Sequence, residues 1–449
     1  NYTLRARLKD GAEVAGLDLS KVVEARIEVR NPTFLLEELR KRFLGLALKD
    51  TFNMRDSLPD NIEFVYGPPG TGKTTYLARN VLIPLMSGRD DLRVLVLAPT
   101  NKAADVLARK IVECSGGTDK CAGWLIRFGL TEDPLLEGSG IYKDKTFDYS
   151  SLSRSVMVTT IARFPYDYFM LSDGHKPLRS FDWDYVVFDE AAMISCAQIV
   201  YPLYKANPRK FVVAGDPHQI APVLKADLWQ DENIYSMVEL ESFKDPHTVP
   251  HDYEVTLLTT QYRSVPSIGR VYGELSYDGL LSSHRSESDA DRRFLGKGLA
   301  EHPINVVSFP VSPYESVYKP KRIARKSAYH PYSALLTYEL VRHLASRAGT
   351  LARDRTVSIG VVSPYRAQAD MLSGLIAQLR LDQNVRVQAG TIHGFQGDEC
   401  DVMIVVLNTP PSISAKPGMF LNKRNILNVS VSRARDSLIL LVPDENTRG

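Results

Sequence analysis

The stretch Gly67-Pro68-Pro69-Gly70-Thr71-Gly72-Lys73-Thr74-Thr75 decides how this chain is read. It satisfies the pattern G-x-x-x-x-G-K-[ST] throughout, the signature of a loop that wraps phosphate. The apolar run Ile62–Tyr66 before it predicts a buried strand, and Tyr76–Leu82 after it predicts a helix. A strand, a glycine-rich turn and a helix in that order let backbone N–H groups close around phosphate oxygens, with the positive end of the helix behind them. Lys73 can then reach the β- and γ-phosphates, and the Thr74 hydroxyl can hold Mg²⁺. A nucleoside triphosphate is the expected ligand.

The bulk properties set bounds on the rest. At 449 residues the chain exceeds what one hydrophobic core organises and predicts two or three domains. A hydrophobic content of 44% and a charged content of 24% are those of an ordinary globular protein. No apolar run approaches the length of a membrane span, so no membrane partner is expected. The net charge of +2 is compatible with a basic groove offset by acidic surface elsewhere. Cys114, Cys121, Cys196 and Cys400 form no C-x-x-C pair, so free thiols are a better reading than a zinc site. Few, scattered cysteines suit the reducing cytoplasm or nucleus. The chain opens on Asn1 without methionine, so flanking domains or protein partners in a longer chain are expected.

Along the chain the expected class is α/β: two tandem parallel-sheet domains with a small N-terminal accessory segment. Residues 1–60 form that segment, with a strand over 22–29 and an amphipathic helix over 34–44, read as the remnant of a β-barrel plus helix. From 61 to 250, apolar runs such as Val94–Leu97, Val156–Val158, Tyr185–Phe188 and Phe211–Val213 alternate with helical stretches, the βαβ rhythm of a parallel sheet. A second rhythm fills 251–449, with strands at Ile304–Val307, Val357–Val362, Val402–Leu407 and Leu438–Val442. Helices are expected over Pro331–Ala345 and Arg366–Leu379 between them. Only the first rhythm contains a phosphate loop. The stretch 311–326, carrying Lys319, Lys321, Arg322, Arg325 and Lys326, is expected to be a basic loop.

Three further groups carry chemistry. Asp189-Glu190 closes the run Tyr185–Phe188, and carboxylates at the C-terminal end of a parallel strand stand where open α/β sheets bind ligands. Asp189 is placed to hold Mg²⁺ through water and Glu190 to polarise an attacking water. Gly215-Asp216-Pro217-His218-Gln219 closes the next run, where Gln219 can orient that water or sense the γ-phosphate. Arg263, Arg433 and Arg435 lie in the half without a phosphate loop, and an arginine from another domain can stabilise charge on the transferring phosphate. Together they point to a composite site between two domains.

The order of these blocks resembles a known family. GPPGTGKT is followed by APTNKAA (Ala98–Ala104), DEAA (Asp189–Ala192), GDPHQIAPV (Gly215–Val223) and QYR (Gln261–Arg263). VVSPYRAQ (Val361–Gln368), TIHGFQGDECD (Thr391–Asp401) and NVSVSRAR (Asn428–Arg435) complete the set. This is similar to the superfamily 1B helicases of the up-frameshift type and their DNA-acting relatives, over about Ile62 to Val442. The resemblance implies two RecA-like domains with ATP in the cleft and a single strand across the top. It implies that Gly67, Pro68, Pro69, Gly70, Thr71, Gly72, Lys73, Thr74 and Thr75 bind the nucleotide, with Mg²⁺ on Thr74 and Asp189. It implies Glu190 as the water carboxylate, Gln219 as the γ-phosphate sensor, and Arg263 and Arg433 as the two arginine fingers. Tyr262 is implied near the base and Glu399 near the ribose. Pro99, Thr100, Asn101, Ser363, Pro364, Tyr365, Thr391 and His393 fall in the blocks that contact the strand, for which DNA is favoured over RNA.

The chain departs from that family pattern in three places. Only about sixty residues precede the phosphate loop, the insertion over 113–155 is short, and no glutamine stands upstream of the loop to read adenine. Asn53 is the candidate substitute, and relaxed base selectivity is the alternative. The expected activity is ATP-driven helicase or translocase action, 5′ to 3′. The competing readings are a strand-stimulated ATPase that remodels nucleoprotein without unwinding, and a nucleotide-switched module beside a nuclease.

Overall fold

Eight strands line up as one parallel sheet in the first half of the chain. They are β1 (Ile62–Tyr66), β2 (Arg93–Ala98), β3 (Leu125–Phe128), β4 (Tyr142–Lys143), β5 (Ser155–Thr160), β6 (Tyr185–Phe188), β7 (Lys210–Gly215) and β8 (Glu254–Leu257). Their order is β4-β3-β5-β2-β6-β7-β1-β8, and every pairing is parallel. Val94–Ala98 and all of β5 are buried, the pattern of strands covered on both faces by helices. The computed structural model describes residues 61–444 except 89, 132, 144–146, 148, 150–151, 167–177, 179–181, 221–231, 247–252, 311–320, 324–326, 393, 396–398 and 408–423. The described residues all belong to one unit, residues 47–449. The strand and helix expected within 1–60, Asn53 and His393 lie outside them.

The second sheet has the order β11-β17-β16-β14-β15, again parallel throughout. Its strands are β11 (Ile304–Phe309), β14 (Val357–Ser363), β15 (Val385–Thr391), β16 (Cys400–Val406) and β17 (Ala434–Pro443). Between the sheets, β9 (Thr260–Gln261) pairs with β10 (Ser282–Ser283). Two expectations need correction here. The second domain was to begin at 251, yet β8 pairs with β1 and completes the first sheet. Its short, half-exposed run Glu254–Leu257 lacks the apolar density that marks the inner strands. The basic stretch also contains structure: β12 (Lys321–Ile323) and β13 (Ser327–Tyr329) form an antiparallel hairpin.

The helices follow local chemistry. The one after β1 begins at Lys73 and widens to a π-helical turn over Leu77–Leu82. Pro84, which has no N–H to donate, lies just beyond. The helix Asn101–Ser115 starts at Thr100, whose side chain accepts the Ala103 N–H, and ends on left-handed Gly116. Pro331–Leu351 runs six residues past the expected end, and Arg366–Ile376 stops three short.

Each sheet has its own core. A third cluster joins them: Tyr66, Ile220 and Phe243 pack with Tyr272, Tyr277, Met403 and Leu438. Burying a side chain of that size contributes about 1.5–3 kcal/mol, so the sheets meet through an apolar contact beneath the cleft described next. Among the described residues no helix is long and apolar enough to cross a membrane.

Candidate active site

The lateral order β6-β7-β1-β8 sets four loops side by side. The registers Phe188↔Val213, Tyr66↔Gly215 and Tyr66↔Leu257 bring the strands to nearly level C-terminal ends. The loops leaving those ends carry Asp189-Glu190, Gly215–Gln219, Gly67–Thr75 and, after a short link, Gln261–Arg263. The chemistry-bearing blocks therefore converge because of strand order alone.

The glycine-rich loop is fixed from below, where the Gly67 N–H donates to Gly215 O at 3.0 Å. Gly70 and Gly72 have φ of 75° and 80°, a region that favours glycine. A Cβ on Gly70 would also lie 2.7 Å from Arg263 Cβ, and one on Gly67 would collide with Lys73 Cγ. Lys73 is buried and folds back to donate to Gly67 O at 2.9 Å. The first turn of the helix behind it holds no acidic side chain. A cationic amine over a ring of N–H groups is a ready anion site.

The acidic side of the cleft is strained and under-satisfied. Glu190 has φ 49° and ψ 45°, a left-handed conformation that costs a non-glycine residue of order 1–3 kcal/mol. Its Oε2 has no hydrogen-bond partner and lies 3.9 Å from Lys73 Nζ. Asp189 is buried, and burial, with the Glu190 charge adding to it and Lys73 opposing it, pushes its carboxyl up to about 7. Two adjacent carboxylates, with Asp189 buried, are chemically suited to a divalent cation. Thr74 lines the same cleft, so Thr74 and Asp189 are the residues that fit Mg²⁺.

The opposite wall comes from the second half of the chain. Arg433 is 2% exposed, and its Nε and Nη2 have no hydrogen-bond partner. Burial, then the neighbouring Arg263, pull its guanidinium down to about 10. Desolvated donors without acceptors are costly unless an anion arrives. Arg263 is instead engaged through two nitrogens: Nε donates to Glu399 at 2.6 Å and Nη1 to Ser432 O at 2.8 Å. Its loop is pinned by Gln261, whose Oε1 accepts the Arg263 and Ser264 N–H groups, and by Tyr262 N–H on Gly70 O at 2.9 Å. Glu399 thus holds an arginine here, whatever it does at a ribose. Burial pushes its carboxyl up, but Arg263, with Arg435 and Arg433 behind it, wins and holds it below the usual range. Arg435 lies 3.8 Å from Glu399.

These groups enclose a cleft of about 620 Å³, lined by Pro69, Gly70, Gly72, Lys73, Thr74, Thr75, Asp189, Glu190, Gln219, Tyr262, Arg263, Glu399 and Arg433. That is ample for a nucleotide. Tyr262 is 54% exposed and packs against His284 with the rings tilted by 35°, centroids 4.7 Å apart, leaving ring surface at the mouth. Sequence reasoning missed the remaining wall, one face of the helix Asn101–Ser115 bearing Lys102, Val106, Arg109 and Lys110. The spacing i, i+4, i+7, i+8 carried that signal. It also missed Tyr277 and Asn428. Asn428 stands in a quoted block; Tyr277 carries no local signature.

The strand-contact candidates are less uniform. Thr100 and Asn101 are exposed beside half-buried Pro99, at the start of a helix. Asn101 is held by the buried Arg127, whose Nη2 reaches its Oδ1 at 3.3 Å. Thr391 is half-buried, and its hydroxyl accepts the Gly394 N–H. Ser363 and Pro364 are buried at the end of β14, so this block presents Tyr365 and Arg366 instead. β14 is covered on both faces at this end, so Ser363 is buried whichever way the pleat turns it.

The chain is similar to known proteins along most of its length. Two family models, each described as an AAA domain, match residues 57–243 and 238–445. "Putative helicase mov-10-B.1" of Danio rerio is 26% identical over 84% of this chain and 39% of its own length. "DNA replication ATP-dependent helicase/nuclease DNA2" of Xenopus laevis is 26% identical over 86% of this chain and 36% of its own. "RNA helicase Mov10l1" of Mus musculus is 25% identical over 84% and 32%. The chain thus spans less than two-fifths of the length of these relatives. Among solved structures, the arterivirus nonstructural protein 10 helicase aligns over 86% of this chain and 60% of that one, at 14% identity with a TM-score of 0.42.

Proposed function

We propose that this chain, which belongs to the superfamily 1 helicases of the up-frameshift-like family, hydrolyses ATP in the cleft between its two sheets and moves along a single strand of nucleic acid. The observation that carries the reading is Arg433: a buried guanidinium from the second half of the chain, with two unpartnered nitrogens, in the same cleft as Lys73 and Glu190.

The residues divide the work by chemistry. Lys73 exchanges the Gly67 carbonyl for phosphate oxygens. Glu190, already in a strained conformation beside an unfilled acceptor position, draws a proton from the attacking water. Gln219 orients that water. Arg433 and Arg263 neutralise charge that grows on the transferring phosphate. Thr74 and Asp189 would hold Mg²⁺, which when bound would supply fixed positive charge to the phosphates. Tyr262 offers the base a stacking face without selecting among bases. We therefore propose relaxed use of other triphosphates as well, with the carboxamide of Asn53 as the alternative reader.

Thr100, Asn101, Tyr365 and Thr391 are proposed to grip the strand's backbone, a contact that positions without reading sequence. Relatives named for RNA and for DNA substrates both match this chain; DNA and 5′-to-3′ movement are our proposals. Among the described residues the four cysteines form no disulfide, which supports our reading of an intracellular, reducing setting. The test is displacement of a labelled strand from partial duplexes with 5′ or 3′ tails, in matched DNA and RNA versions. ATP-dependent displacement from 5′-tailed substrates is expected. Strand-stimulated hydrolysis without any displacement would favour a remodelling ATPase.

A further inference from the structure

Asp216, fully buried at the end of β7, is the start of a hydrogen-bonded chain that crosses between the sheets. Its Oδ1 accepts the His218 N–H at 3.1 Å, and its Oδ2 accepts the Tyr277 hydroxyl at 2.8 Å. That hydroxyl accepts Asn428 Nδ2 at 2.7 Å, and the same nitrogen donates to His218 O at 2.9 Å. All three side chains are fully buried. The polarity is fixed, because the single Tyr277 hydrogen is committed to Asp216 and the Asn428 amide can only donate at that nitrogen.

The two ends of the chain are elements of the cleft. On the first sheet, the Gln219 N–H donates to Asp216 O at 3.1 Å, so Asp216 shapes the turn that carries Gln219. On the second side, Asn428 lies on the helix Arg424–Val431, and the Ser432 N–H donates to Asn428 O at 3.0 Å, the last turn before Arg433. Tyr277 follows the helix Pro266–Ser276 and packs with Ile268 and Tyr272 against Ile426 and Val429. A shift of either element alone would strand a buried carboxylate or amide without its partner, at a cost of about 1–3 kcal/mol per group.

We propose that Tyr277 and Asn428 are positioning residues that make the Gln219 loop and the helix leading to Arg433 respond to nucleotide as one body. The inference rests on the hydrolysis reading above. Tyr277→Phe deletes only the linking oxygen. It is expected to lower kcat about tenfold, the equivalent of one such buried bond, with KM for ATP unchanged. In a Gln219→Ala background the same change should cost nothing further, because coupled residues are non-additive. Ser430→Ala is the control. Its buried hydroxyl donates to Ile426 O at 2.7 Å on the same helix but does not join the chain, so kcat should hold. Wild-type kcat in Tyr277→Phe, an equal loss in Ser430→Ala, or fully additive losses would each overturn the proposal.

Hydrogen exchange on the wild-type chain gives a readout independent of turnover and of any variant's folding. A non-hydrolysable ATP analogue with Mg²⁺ should slow exchange in both 215–219 and 424–431. Slowing of the first segment alone would overturn the coupling and leave the cleft reading intact. Slowing of neither would overturn the cleft reading, and the coupling with it.

Discussion

The cleft and the surface we propose for the nucleic-acid strand are built to different standards. In the cleft nearly every side chain is held by a second group: Lys73 by Gly67, Arg263 by Glu399 and Ser432, the Gln261–Ser264 turn by its own glutamine. What is left open is specific, namely two nitrogens of Arg433 and one oxygen of Glu190. On the strand side, Thr100 and Asn101 are exposed, Ser363 is buried, and few side chains converge. The difference follows from the ligands. A triphosphate has one shape and concentrated charge, so preorganised side chains are worth strain. A single strand must be gripped and released repeatedly, which suits backbone amides and hydroxyls that read no sequence.

The sharpest way to break that contrast is to empty the open position on the cleft's far wall. Arg433→Ala should lower strand-stimulated kcat by about 10³–10⁵, the range for an arginine finger, with a smaller change in nucleotide affinity measured by a fluorescent analogue. Glu190→Gln should lower single-turnover hydrolysis by about 10²–10⁴, the contribution of a positioned base, and keep nucleotide binding. Substitution on the strand surface should behave differently. Thr100→Ala removes one hydrogen bond to charged phosphate, worth about 1.5–3 kcal/mol, and should weaken strand binding about ten- to a hundredfold for every base sequence alike. Thr100→Ser should restore it. Basal hydrolysis without a strand should survive in both. Sequence-dependent loss in Thr100→Ala would mean that this block reads bases.

The smallest effect is on the empty cleft itself. Asp189 has a folded pKa raised to about 7, above its unfolded value of 3.8. The folded state then binds its proton more tightly. Asp189 therefore costs nothing below pH 4, and its cost grows as pH rises from about 4 to about 7. Asp189→Asn should raise the Tm of the nucleotide-free protein at pH 8, by an amount that shrinks to nothing towards pH 4. A Tm difference of constant size across that range would contradict the burial account.

The same contrast explains what the residues alone disclosed. The phosphate loop, the Asp189-Glu190 pair and the strands around them were legible because each joins a local pattern to a strand end, and parallel sheets bring strand ends together. Arg263 and Arg433 were legible from their blocks, but not that Arg263 is occupied while Arg433 is open; that depends on Glu399 and Ser432, 136 and 169 residues from Arg263. β8 escaped because an edge strand needs little apolar density. Tyr277 escaped because a buried tyrosine at a helix end looks like packing until its hydroxyl is seen on Asp216. Ser363 was expected at the strand and is buried, because β14 is covered on both faces there: Val361, Val362 and Ser363 are all buried.

The most direct test of the central claim, a cleft whose turnover is governed by a strand on the same chain, is kcat for ATP with and without a saturating single-stranded oligonucleotide. The account predicts a rise of at least several-fold with the strand, at low salt, fading as salt displaces the phosphate contacts. Hydrolysis at the same rate with and without strand, DNA or RNA, would contradict it.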